Sequence, residues 1–209
     1  MTNDKPMNPL EMLAFIISKQ IKDHEVIYIG TGIPMVAAIL AKKTHAPHIT
    51  FVYESGGQDP ENLEMPWSVG GPMTWRKSPI IMEMAYSFGQ AASGMVDKGF
   101  LGFAQIDMYG NANTHQIGSE FTNPKVRLTG SGGNNDVASL VDKLVYVGLQ
   151  DQNKFAKKVD FITSPGWMEG GDSRKKAGLL NDGPCAVITS AGVYDFEPET
   201  KRMRIKTLH

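Results

Sequence analysis

Leu10, Leu13, Ile17 and Ile21 recur three or four residues apart, which places one apolar stripe along a helix. Asn8, Pro9 and Glu11 mark its start with a capping side chain, a proline at the first helical position and an acid in the first turn. The period then changes. Glu25 to Gly30 (EVIYIG) is a short, nearly continuous apolar run, the pattern of a strand buried on both faces of a parallel sheet. A Gly30-Thr31-Gly32 turn, a helical pattern from Ile33 to Lys43 and a second apolar run from Ile49 to Tyr53 follow. Strand, helix and strand in so short a space predict a βαβ unit with a right-handed crossover.

From Glu54 to Pro79 the chain shows little periodicity and carries Gly56, Gly57, Pro60, Pro66, Gly70, Gly71 and Pro72. Pattern-poor stretches of that length in a compact domain are usually functional. Ile80 to Val96 reads as a helix, although Gly89 and Gly94 interrupt it. Phe100–Ile106, Leu144–Gly148, Val159–Thr163 and Ala186–Thr189 read as strands, and Asp136–Leu140 as a helix. After the turn Ser190-Ala191-Gly192, the runs Val193–Phe196 and Met203–Ile205 predict an antiparallel meander. No repeat or linker breaks the chain. The expected architecture is one α/β domain over residues 1–209, with an open, mostly parallel sheet and helices on both faces.

Composition narrows the function. Lys and Arg number 21, Asp and Glu 22, for a net charge of -1, which argues against a partner held by bulk electrostatics such as nucleic acid or an anionic membrane. Cys185 is the single cysteine, so neither an internal disulfide nor a cysteine-rich zinc site is expected. The polar N-terminus lacks a signal-peptide core and no run of about 18 apolar residues occurs, so a cytoplasmic setting is expected. The histidines show no ligand spacing, and no metal is expected. The 22 glycines and 12 prolines point to tight loops, where α/β enzymes keep their chemistry.

Three loops are candidates for that chemistry. Gly30-Thr31-Gly32 joins a strand to a helix but lacks the third glycine of a dinucleotide fingerprint, so a plain tight turn is its simpler reading. Glu54 stands directly after a buried strand with Ser55, Gly56 and Gly57 behind it, where open α/β sheets bind ligands. Gly130-Ser131-Gly132-Gly133-Asn134-Asn135-Asp136 leads into a helix and presents backbone N–H groups suited to an oxyanion or phosphate, without the lysine of a P-loop.

Taken in order, these segments resemble family I CoA-transferases. Glu54-Ser55-Gly56 resembles the S-E-N-G-type nucleophile motif, and Gly130 to Asp136 resembles the G-x-G-G-A-x-D loop. Between them, Gly102-Phe103-Ala104-Gln105-Ile106-Asp107-Met108-Tyr109-Gly110-Asn111-Ala112-Asn113 resembles the G-A-x-Q-V-D-x-x-G-N-x-N segment. Val159 to Trp167 and Thr200 to Met203 are similar to the β subunits of the glutaconate branch.

The resemblance implies the CoA-transferase fold and the transfer of CoA between an acyl-CoA and a carboxylic acid. Glu54 is then the nucleophile that carries a glutamyl-CoA thioester. Gly132, Gly133 and Asn134 offer backbone N–H groups to the oxyanion and a surface to the acyl group. Ser55, Gly56, Gln105 and Asn113 are weaker candidates for positioning, with a buried hydrogen-bonded turn as the simpler role for Gln105 and Asn113. Coenzyme A is implied as substrate and covalent intermediate, with no permanently bound cofactor. The implied partner is a related α subunit in a heteromer, since the family's CoA-binding glycine loop normally lies there. Two departures stand out: Ser55 replaces the asparagine of the motif, and β subunits usually continue beyond the position of His209, so the family's C-terminal extension is expected to be missing. A CoA-ester hydrolase or decarboxylase on the same fold is the alternative, disfavoured by Glu54, which such relatives generally lack; a non-catalytic subunit is a further one.

Overall fold

Asn8 caps the first helix as its sequence requires. Its side-chain oxygen accepts from the N–H groups of Leu10 and Glu11, both at 2.9 Å, and the Glu11 carboxylate accepts from the Asn8 N–H at 3.0 Å. That reciprocal box starts α1 (Pro9–Ser18) in the computed structural model, which describes residues 7–61, 65–179 and 181–209. The βαβ unit follows as β1 (Val26–Tyr28), α2 (Ile33–Thr44) and β2 (Thr50–Val52), its strands parallel with Val26 opposite Thr50.

The segment after β2 is less irregular than its sequence suggests. It forms the two-residue strands β3 (Gly57–Gln58) and β4 (Ile80–Ile81), antiparallel additions to the sheet edge. The helix expected from Ile80 shrinks to α3 (Met84–Ala92), because Ile80 and Ile81 pair with Gly57 and Gln58, and Gly94 takes a left-handed φ of 72°. β5 (Lys98–Gly102) then runs through the centre. The chain leaves the sheet at Phe103, so the strand expected through Ile106 is cut. Gln105–Ile106 instead forms β6, antiparallel to β7 (Ala112–Asn113), and β8 (Gln116–Ile117) pairs with β9 (Val126–Arg127).

The return is α4 (Asn134–Leu140), β10 (Lys143–Gly148), the short helix α5 (Ser173–Lys176), and the strands β11 (Pro184–Thr189), β12 (Gly192–Phe196) and β13 (Met203–Leu208). The run Val159–Thr163 is not a strand. Its groups bond to the 104–118 excursion rather than to a ladder: Asp160 accepts from Gly118 N–H at 2.8 Å, and the Thr163 N–H donates to Ala112 at 2.9 Å.

Among the described residues, nine strands make one sheet in the order β13-β12-β11-β10-β5-β1-β2-β3-β4. The central five are mutually parallel, and both margins are antiparallel. The period-two alternation of each strand feeds two cores. Ile27, Ile29, Phe51, Phe100, Val145 and Ile188 pack with α1 and α2 on one face. Tyr28, Val52, Leu101, Tyr146 and Val187 pack with Val137, Ala138 and Val141 of the α4 region on the other. This double burial explains why the central runs read as continuously apolar. Gly99 sets how closely α4 lies on β5, since a Cβ there would stand 2.7 Å from a Val137 methyl.

Candidate active site

β2 lies on one side of β1 and β5 on the other. The chain therefore reverses its direction across the sheet at β1, and a crevice opens beyond the strand ends at such a reversal. A cavity of about 380 Å³ occupies it. All three glycine-bearing loops of the sequence reach it: Gly30 and Thr31 after β1, Glu54 after β2, and Gly133 and Asn134 at the start of α4. The first of these, read as a plain turn, thus lines the same space as the other two. The ends of β5 and β10 and the apolar side chains of Leu13, Ile33 and Val69 complete the walls.

Glu54 is half-buried and its carboxylate lies against the Gly133 backbone, whose N–H favours the charged form. Gly133 has an ordinary φ of -83°, so the space around it explains the glycine. A Cβ there would lie 3.0 Å from the Glu54 carboxylate and 2.8 Å from the Phe88 ring. Desolvation pushes the Glu54 carboxyl above its ordinary range, and the negative charge of Asp136 in the first turn of α4 adds to this. The Gly133 N–H opposes both. Burial also raises the phenol of Tyr28, which lines the cavity, with Glu54 and Asp136 adding to the effect, so the ring stays neutral. Tyr28 and Asp136 carry no sequence signal as site residues beyond the terminal aspartate of the glycine-loop motif.

The three donors expected from the glycine loop differ in their availability. The Asn134 N–H closes a turn onto the Ser131 carbonyl at 2.9 Å and is not free for an oxyanion. The Asn134 side chain still lines the cavity, with its amide 3.2 Å from the Thr114 hydroxyl. The Gly133 N–H faces Glu54. Gly132, exposed and at φ +48°, has no hydrogen-bond acceptor for its N–H among the described residues. Two bonds between Thr114 and Gly130, at 2.8 and 3.0 Å, clamp the base of the loop.

The remaining candidates, like Gly132, are not part of the cavity lining. Ser55 shares a hydrogen bond with Thr74 at 2.9 Å, and Gly56 lets the Met82 carbonyl approach where a Cβ would stand. Gln105 and Asn113 are buried and bonded to one another at 2.7 Å. Gln105 also donates to Asp160 at 3.0 Å, and Asn113 to the Gln116 carbonyl at 2.6 Å. Asp107 and Asn111 of the same motif form a second knot. Asp107 accepts from the N–H groups of Tyr109 and Asn111, while the Asn111 amide joins Gly166 and Met168.

Beside the cavity runs an open groove of about 700 Å³ that shares Gly102 and Asn134 with it. Arg127 lines it. Its guanidinium is held by the Gln116 side-chain oxygen at 2.9 Å and the Phe121 carbonyl at 2.7 Å, and no carboxylate pairs with it among the described residues. Arg76 and Lys77 lie elsewhere and share Glu61. Trp67 and Trp75 are exposed and off the cavity, and the Trp167 indole donates to the Pro184 carbonyl. No helix among the described residues is long and apolar enough to cross a membrane.

Residues 10–209 match the coenzyme A transferase family. The β subunit of glutaconate CoA-transferase from Acidaminococcus fermentans is 38% identical over 199 residues, 92% of this chain and 74% of that protein. The β subunit of 3-oxoadipate CoA-transferase from Pseudomonas knackmussii is 34% identical over 200 residues, 95% of this chain and 76% of that protein. The crystal structure of the Acidaminococcus enzyme superposes with a TM-score of 0.91 at 35% identity, over 97% of this chain and 80% of that one. The chain belongs to the coenzyme A transferase family.

Proposed function

We propose that the chain is the β subunit of a heteromeric CoA-transferase that moves CoA between an acyl-CoA and a carboxylic acid through a thioester on Glu54. The observation that carries this reading is a half-dry carboxylate, set against the Gly133 backbone, on the wall of a cavity large enough for an acyl group. A carboxylate is a weak nucleophile in water and gains reactivity where it is desolvated and fixed.

In the first step a Glu54 oxygen attacks the thioester carbonyl and the C–S bond breaks, giving an acyl-glutamyl anhydride and CoA thiolate. The thiolate then attacks the glutamyl carbon, releasing the first carboxylate and leaving the glutamyl-CoA thioester. An acceptor carboxylate attacks that thioester, re-forming an anhydride and the thiolate. The thiolate finally takes the acceptor's acyl carbon and regenerates the Glu54 carboxylate.

Two kinds of oxyanion arise, and they need different donors. When the glutamyl carbon is attacked, the oxyanion develops on a Glu54 oxygen, where the Gly133 N–H is already placed. When the substrate carbonyl is attacked, the negative oxygen belongs to the acyl group, and the unengaged Gly132 N–H is the donor we assign to it. One such donor is worth about 3–4 kcal/mol.

The groove beside the cavity suits the far end of the acyl chain, and Arg127 suits a second carboxylate there. The two similar β subunits are named for dicarboxylic acids, glutaconate and 3-oxoadipate, and we extend that class to this chain. The test is product analysis with the purified heteromer, a dicarboxyl-CoA donor and free acetate. Appearance of acetyl-CoA in step with loss of the donor is expected. Free CoA or CO2 without acetyl-CoA would overturn the transferase reading in favour of a hydrolase or decarboxylase.

A further inference from the structure

At the opposite end of the sheet, residues far apart in sequence form a second cluster. Asp23 and His24 lie just before β1, and His48 just before β2. The parallel register that sets Val26 against Thr50 also sets these two loops side by side. The Asp23 carboxylate is anchored through Oδ1, which accepts from the His48 backbone N–H at 2.7 Å. Its Oδ2 lies 2.9 Å from His48 Nδ1 and 3.6 Å from His24 Nε2. The two imidazoles stack, 4.8 Å apart and 6° from parallel, and His24 holds a left-handed φ of 66°. One ligand atom from each residue lies within 4.8 Å of the others.

We infer that Asp23, His24 and His48 form a binding site for a divalent transition ion, with zinc the best fit. A tetrahedral zinc with bonds of about 2.0–2.1 Å sets its ligand atoms about 3.3 Å apart, and the two separations to Asp23 Oδ2 bracket that value. Two imidazoles with one carboxylate select a transition ion over magnesium or calcium, which prefer all-oxygen sites. The His48 N–H holds the carboxylate in the way outer hydrogen bonds orient metal ligands. Both rings are exposed, 77% and 65% at the side chain, so they turn onto an ion without disturbing the core, and water takes the fourth position. The site lies beyond the starts of β1 and β2, whose far ends carry the Gly30 loop and Glu54. Its role is to tie two loops together and not to take part in the transfer reaction.

The test is calorimetric titration of the heteromer with zinc chloride, on the parent protein and on His24→Ala, His48→Ala and Cys185→Ser variants of this chain. The cysteine variant removes the exposed thiol that could compete for zinc. One zinc per chain at this cluster is expected, weakened at least tenfold by either histidine substitution and kept by Cys185→Ser. Acetyl-CoA formation is expected to be unchanged in both histidine variants, which also shows that they fold. No zinc uptake by the parent protein, uptake undiminished in both histidine variants, or loss with Cys185→Ser would overturn the assignment.

Discussion

Two polar clusters in this molecule use similar residues to opposite ends. Around Gln105, Asp107, Asn111 and Asn113, buried amides and carboxylates face one another and backbone, with several bonds per side chain. Around Glu54, by contrast, a half-buried carboxylate has one backbone donor, a neighbouring carboxylate that repels it and an adjoining cavity. The first arrangement leaves little bonding capacity for a ligand and stabilises a turn. The second leaves capacity unused at some cost to the fold, as reactive groups do. Both lie within segments that mark the family, so membership of a motif does not by itself distinguish a chemical role from a structural one.

The contrast between the clusters is sharpest at Glu54. Glu54→Gln is expected to lower CoA transfer by about 10⁴-fold or more, the scale seen when a nucleophile is removed. The raised carboxyl gives this loss an unusual companion. A group whose pKa is higher in the folded than in the unfolded chain supports the fold below its unfolded pKa and loses that support as pH rises through its folded pKa. Above that window Glu54→Gln is therefore expected to melt at or above the parent temperature, and at acid pH the advantage disappears. Scanning calorimetry across pH checks both halves.

The other cluster is expected to respond in reverse. Asn111→Ala leaves the buried Asp107 carboxylate and the Gly166 and Met168 backbone groups short of partners. A loss of about 2–3 kcal/mol in urea unfolding is expected, with KM for the acyl-CoA little changed in protein that remains folded. Gly133→Ala tests the contact between the loop and Glu54: the added methyl meets Glu54 and Phe88, and about a 10²-fold fall in kcat is expected from displacement of the carboxylate.

Smaller effects separate the neighbours of Glu54 from one another. Arg127→Gln is expected to raise KM for a dicarboxylic acyl group about 10- to 100-fold, the scale of one charged hydrogen bond, and to leave a monocarboxylic acyl group nearly unaffected. Equal effects on both would remove Arg127 from substrate recognition. Asp136→Asn lowers the Glu54 carboxyl towards its ordinary range. In the proposed mechanism Glu54 attacks as the carboxylate, so the acid limb of the kcat/KM profile is expected to move to lower pH; an unmoved limb would mean that another group controls it.

Much of this is legible in the sequence. The central strands announce themselves because both faces are buried, and α1 because Asn8, Pro9 and Glu11 form a cap. Glu54 and the glycine loop are legible as motifs. The failures share a cause, which is long-range pairing. Ile80 and Ile81 have a helical neighbourhood but find Gly57 and Gln58, and Val159–Thr163 has strand composition but bonds to the 104–118 excursion. The Gly30 loop looks like an ordinary turn because the cavity it lines is made by segments as distant in sequence as Gly148. The engaged N–H of Asn134 is a matter of turn geometry that the motif letters do not encode. His24 and His48 stand far apart in sequence, and only the sheet register brings them together.

Glu54 as a covalent carrier is the central claim, and one measurement reads it directly. The heteromer is mixed with acyl-CoA in the absence of acceptor, treated with borohydride, digested and analysed by mass spectrometry. Borohydride reduces a glutamyl thioester to the alcohol, so the peptide containing residue 54 is expected to carry –CH2OH in place of its carboxyl, only when acyl-CoA was present. Continued transfer to acceptor with an unmodified Glu54 peptide, or the same reduction at a different glutamate, would contradict it.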